Sequence, residues 1–267
     1  RQTYSQPDHE TRILMTTPYD YAQTHKARFE DELKALVRIP SVSTDPLRKE
    51  DVFKAAQWLA EDMRSVGIEN VEIMPTGGHP VVYGDWLHAG ADAPTLLIYG
   101  HYDVQPAEMA DGWASEPFEP VVRDGKLYAR GSSDDKGQMF AHIKAFESIM
   151  KTDGKLPVNI KYLIEGEEEI GSEHLYAFVA AHKDKFKADL CALSDGGFRS
   201  KDEPAITYST RGLSYMQIDV QGPAKDLHSG AYGGVVHNPA LALAQIISKL
   251  HNPDNSVAVP GFYDDVI

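Results

Sequence analysis

The stretch TLLIYGHYD, residues 95–103, sets an apolar run against an abrupt Gly, His and Asp. A short run bounded in this way reads as a buried strand with a polar loop at its carboxyl end. Three further segments repeat the layout: KLYARGSSDD at 126–135, NIKYLIEGEEE at 159–169 and DLCALSD at 189–195. Helical periodicity fills the intervals. Phe29, Leu33, Leu36 and Val37 predict a helix over 19–38, stopped by Pro40. Phe53, Ala56, Trp58, Leu59 and Met63 predict one over 50–66, ending at Gly67. Met139, Ile143, Phe146 and Ile149 form the stripe of a third over 136–150, and a fourth covers 173–182. Residues 71–74 and 81–86 read as further strands. Residues 121–128 read as a hairpin turning at Asp124-Gly125. Strands alternating with helices predict an α/β fold with a mixed, mostly parallel sheet flanked by helices.

The pattern changes near Thr207. Residues 213–220 alternate like a half-exposed strand, a Gly-rich loop runs to Gly234, and a helix follows over 238–250. The expected division is a leader over 1–18, a first domain over 19–207 and the opening of an α+β domain over 208–267. Arg1 is not a natural initiator, so Met15 is the expected native start, with an earlier cleaved signal left open.

Of the 267 residues, 26 are Lys or Arg and 40 are Asp or Glu, a formal charge of −14. That balance repels phosphate backbones and argues against nucleic acid as a partner. Cys191 is the single cysteine, so an intrachain disulfide and any multi-cysteine zinc site are excluded. A chain without disulfides fits a reducing compartment, and the expected location is cytoplasmic. No apolar stretch approaches the roughly 20 residues of a membrane-spanning helix.

Ligands in open α/β sheets bind at the carboxyl ends of strands. If the four segments share one parallel sheet, His101, Asp134, Glu168, Glu169 and Asp195 converge at one edge. Carboxylates gathered so closely repel one another unless cations neutralise them. One imidazole among them suits zinc, manganese or cobalt better than calcium.

The runs at 100–106 (GHYDVQP), 131–137 (GSSDDKG), 165–172 (EGEEEIGS) and 226–230 (DLHSG) resemble the co-catalytic zinc metallopeptidases that include aminoacylases, carboxypeptidase G and carnosinases. The Val-Gln-Pro and Asp-Asp-Lys-Gly variants are most similar to the carnosinase-like dipeptidases. The resemblance implies a hydrolase-like catalytic domain, a lid that also forms a homodimer interface, and two divalent metal ions, zinc foremost. It implies that Asp134 bridges both ions, that His101 and Asp195 complete the first site, and that Glu169 binds the second ion. Glu168 would be the general base, and Asp103 would hold the His101 ring. His228 would stabilise the oxyanion, in dimeric relatives from the partner subunit. The Asp134–Asp135 peptide bond would be cis. The implied reaction is hydrolysis of an amide bond in a dipeptide or short peptide.

The family's last histidine ligand has no counterpart among the other histidines of this sequence. His142, beside Ile143 on a predicted helix, is expected to pack or face solvent. The expectation is that the chain is the first part of a longer enzyme and is weakly active or inactive alone, its first metal site binding more readily than its second. Two other readings stay open: an N-acyl amino acid deacylase, and a non-catalytic metal-binding fragment.

Overall fold

The computed structural model describes residues 17–200, 202–203, 205–207, 209 and 211–266. Two compact units divide the chain, Arg1–Pro204 and Ala205–Ile267. In the first, the elements run α1 (Pro18–Thr24), α2 (Lys26–Val37), α3 (Lys49–Val66), β1 (Glu69–Met74), β2 (Val81–Trp86), β3 (Thr95–His101), β4 (Val121–Arg123), β5 (Lys126–Tyr128), α4 (Lys136–Thr152), β6 (Asn159–Glu165), α5 (Leu175–Ala181), α6 (Lys183–Phe186) and β7 (Leu190–Leu193).

Five strands form one sheet in the order β1-β2-β6-β3-β7. β1 with β2 and β2 with β6 are antiparallel, whereas β3 is parallel to both β6 and β7. β6 is buried along its whole length, as a central strand covered on both faces must be. On one face Ile160, Tyr162 and Ile164 join Leu59 and Met63 of α3 and Met139, Ile143 and Phe146 of α4. On the other, Leu163 meets Val81, Tyr83, Phe178 and Phe186, which belong to β2, α5 and α6. The result is an α/β unit with helices on both faces of a mixed sheet.

Several expected elements take a different form. The KLYAR run lies outside the main sheet: β5 pairs only with β4, in a separate two-stranded hairpin. Asp124 and Gly125 both adopt positive φ there, at 50° and 72°, as a type I′ turn requires. The helix expected over 19–38 breaks at His25, whose ring stacks on Tyr21 and whose Nδ1 lies 2.8 Å from the Tyr21 carbonyl oxygen. A side chain competing for that carbonyl weakens the helical ladder. Of the expected leader, residues 1–16 lie outside the described residues. Thr17 and Pro18 already open α1, where Thr17 and Asp20 form a reciprocal capping box. The helix expected over 173–182 is shorter, and α6 follows it after His182.

In the second unit the helices are α7 (Ser229–Tyr232) and α8 (Pro239–Ile247), the latter capped by Asn238 Oδ1. Residues 213–220 form no strand. Alternation makes a strand only where a neighbour takes up its backbone hydrogen bonds, and the described residues provide none there. No helix among the described residues is long and apolar enough to cross a membrane.

Candidate metal centre

The parallel register places His101 beside Glu165 and Tyr99 beside Leu193, so β3, β6 and β7 end at nearly one level. The polar residues that follow them therefore gather at one edge. Close packing keeps that edge in place. A Cβ on Gly166 would fall 2.4 Å from Tyr102 Oη, and one on Gly100 would fall 2.7 Å from Asp135 Oδ2. Both positions need glycine for space alone.

His101 is fully buried and lies at the centre. Its Nε2 is 3.1 Å from Asp134 Oδ1, 3.5 Å from Asp195 Oδ2 and 3.9 Å from Glu168 Oε2. His101, Glu168 and Asp195 each offer a donor atom, and these atoms all lie within 4.8 Å of one another. Ligands about 2.1 Å from a tetrahedral ion stand about 3.4 Å apart, so this spacing fits one divalent ion.

The opposite ring nitrogen fixes the tautomer. Nδ1 lies 3.0 Å from the Asp103 carbonyl oxygen and 3.4 Å from its carboxylate Oδ1. A proton on Nδ1 leaves the Nε2 lone pair aimed at the carboxylates. Burial opposes a charged ring, but the hydrogen bond that the ring donates to Asp103 and the charges of Asp103, Asp135 and Glu168 outweigh it and lift His101 to about 10. Carboxylate oxygens from Asp134, Glu168 and Asp195 around one imidazole nitrogen form a donor set that a divalent cation fits.

Asp103, also fully buried, does more than face the ring. Its Oδ1 accepts the Glu168 backbone N–H at 3.2 Å, and its Oδ2 accepts that of Glu169 at 3.1 Å. One side chain therefore orients the histidine and the turn that carries both glutamates. Asp103→Ala is expected to weaken metal binding roughly 10- to 100-fold, as loss of such outer partners does. Titration against a competing chelator measures this, and wild-type affinity would contradict the arrangement.

Asp134 comes from the turn between β5 and α4 and reaches the cluster on the His101 side, although it lies outside the compact group of three. Its peptide bond to Asp135 is cis. Asp135 turns inward, and its Oδ2 accepts the His101 backbone N–H at 3.2 Å. The next residue, Lys136, is fully buried and donates to the carbonyls of Leu36 and Ile39 at 3.2 and 2.7 Å. The turn that carries Asp134 is thus tied to the end of α2.

Burial raises the Glu168 carboxyl. His101 opposes the rise, and Glu169, Asp195 and Asp103 add to it. Glu169 also stands outside the group of three, and its Oε2 accepts from Gln105 Nε2 at 2.9 Å. His228 belongs to the second unit, where its Nδ1 accepts the Gly230 N–H at 3.0 Å and caps α7. Sequence reasoning passed over Gln105 and Asp135 as participants. Asp135 directly follows Asp134 and Gln105 stands two residues after Asp103, but neither position by itself names its partner.

The unit is thus a mixed α/β sheet with one histidine and several carboxylates gathered at its strand ends. The chain belongs to peptidase family M20/M25/M40, whose sequence profile matches residues 97–258. It is 35% identical over 268 residues to the Beta-Ala-His dipeptidase of Homo sapiens, covering 95% of this chain and 53% of that protein. It is 36% identical over 261 residues to the Cys-Gly metallodipeptidase dug1 of Schizosaccharomyces pombe, covering 93% and 54%. The crystal structure of human carnosine dipeptidase 1 superposes with a TM-score of 0.83 at 36% identity, covering 94% of this chain and 55% of that one. The chain spans about half the length of the curated relatives it matches. The family resemblance and the fold class read from the sequence both hold.

Proposed function

We propose that the protein hydrolyses the amide bond of dipeptides with the help of divalent metal ions. The convergence of Asp134, Asp195 and Glu168 on the lone pair of a buried, oriented His101 carries this reading. Family membership and two dipeptidase relatives support it. His101, Asp134 and Asp195 would hold the first ion. Asp134 and Glu169 would contribute to a second, and zinc suits a donor set of one imidazole and carboxylates. When bound, the ions supply Lewis acidity, polarising the scissile carbonyl and making water more acidic.

Glu168 takes the proton of the attacking water and passes it to the leaving nitrogen. Its raised pKa suits a base that must also return a proton. Asp103 keeps the His101 ring and the Glu168 backbone fixed during that transfer. His228 is the oxyanion donor of this reading, and the second unit, with Leu213, Tyr215 and Met216 exposed, is its homodimer surface. A substrate panel tests the reaction class. The zinc-loaded full-length protein is expected to cleave β-alanyl and cysteinyl dipeptides and to leave N-acetyl amino acids largely intact. The reverse order would make it a deacylase.

A further inference from the structure

Asp195 follows β7, a strand that pairs on one side only, with β3, and whose last register is Leu193 with Tyr99. Beyond that register the sheet no longer fixes the chain, yet a metal ligand must stand within a few tenths of an ångström of its place. Ser194 lies between Leu193 and Asp195. Its Oγ is 2.7 Å from His142 Nε2, on the second full turn of α4. Among the described residues this is the one side-chain hydrogen bond made by residues 194–198. His142 is half-buried, and beyond the packing or surface role expected from the sequence it makes this one contact.

The helix that carries His142 is already fixed to the other side of the cluster. α4 starts directly after Asp134 and Asp135, and Asp135 holds the His101 backbone N–H. Its buried stripe of Met139, Ile143 and Phe146 packs against the sheet. One rigid element thus grips both the turn that presents Asp134 and the loop that presents Asp195. We infer that His142 is a positioning residue for Asp195, acting through Ser194, an assignment that rests on the proposed metal-binding role of that carboxylate. Burial also lowers the His142 pKa, which favours the neutral ring.

The test measures zinc affinity of the full-length protein by competition with a chromophoric chelator, for His142→Ala, Ser194→Ala, the double variant and His142→Gln. The first two are each expected to bind zinc roughly 10- to 100-fold more weakly. The double variant is expected to lose no more than the weaker single one, because one contact is removed twice. His142→Gln, which keeps a polar group at similar reach, is expected to recover most of the affinity. Metal-free melting midpoints near wild type separate positioning from a loss of fold. If His142→Ala does not fold, Ser194→Ala, which removes one oxygen atom, decides. Single variants within twofold of wild-type affinity, or a double variant that loses the product of both, would overturn the inference. A wild-type protein without tight zinc binding would overturn the metal reading itself.

Discussion

Glu168→Gln is expected to cut dipeptide turnover roughly 10²- to 10⁴-fold while leaving bound metal at the wild-type level. The amide keeps the shape of the carboxyl but cannot accept the proton of the attacking water. The backbone N–H of residue 168 would still donate to Asp103, because that bond does not involve the side chain. Fold and first-site geometry therefore persist, and the loss falls on turnover rather than on substrate affinity. Steady-state kinetics with metal analysis of the same preparation measure both quantities. An active variant with normal metal content would remove Glu168 from the base role.

Asp134→Asn is expected to act the other way, through the metal. The carboxylate faces His101 Nε2 at 3.1 Å and its side chain is about half exposed, so an amide of equal size can be accommodated without repacking. What disappears is the negative charge that the proposal assigns to both ions. Metal stoichiometry should fall. Turnover should fall by on the order of a thousandfold, equivalent to several kcal/mol of lost charge stabilisation in the transition state. Elemental analysis of the purified variant, beside its kinetics, separates this outcome from that of Glu168→Gln. Full metal content in Asp134→Asn would contradict the bridging assignment.

His101, Glu168 and Asp195 were legible because each follows an apolar run, and parallel strands place their ends together. The route of Asp134 was not legible in the same way. Its strand pairs in a separate hairpin, and α4 rather than the sheet sets its place. A local apolar run cannot say which sheet it will join, since pairing is decided between distant segments. The same limit explains residues 213–220, where alternation was present without a partner strand. Gln105, Asp135 and His142 make contacts that span 34 to 64 residues. Side chains of these types carry no local signal of such partners, whereas the carboxylates clustered after strands did.

Removal and return of metal address the central claim most directly. The full-length protein is dialysed against a strong chelator, its metal content is verified by elemental analysis, and dipeptide hydrolysis is followed before and after zinc is added back. The expected result is activity at background in the stripped protein and recovery on titration with zinc, saturating near two ions per chain. Undiminished hydrolysis after verified metal removal would contradict it.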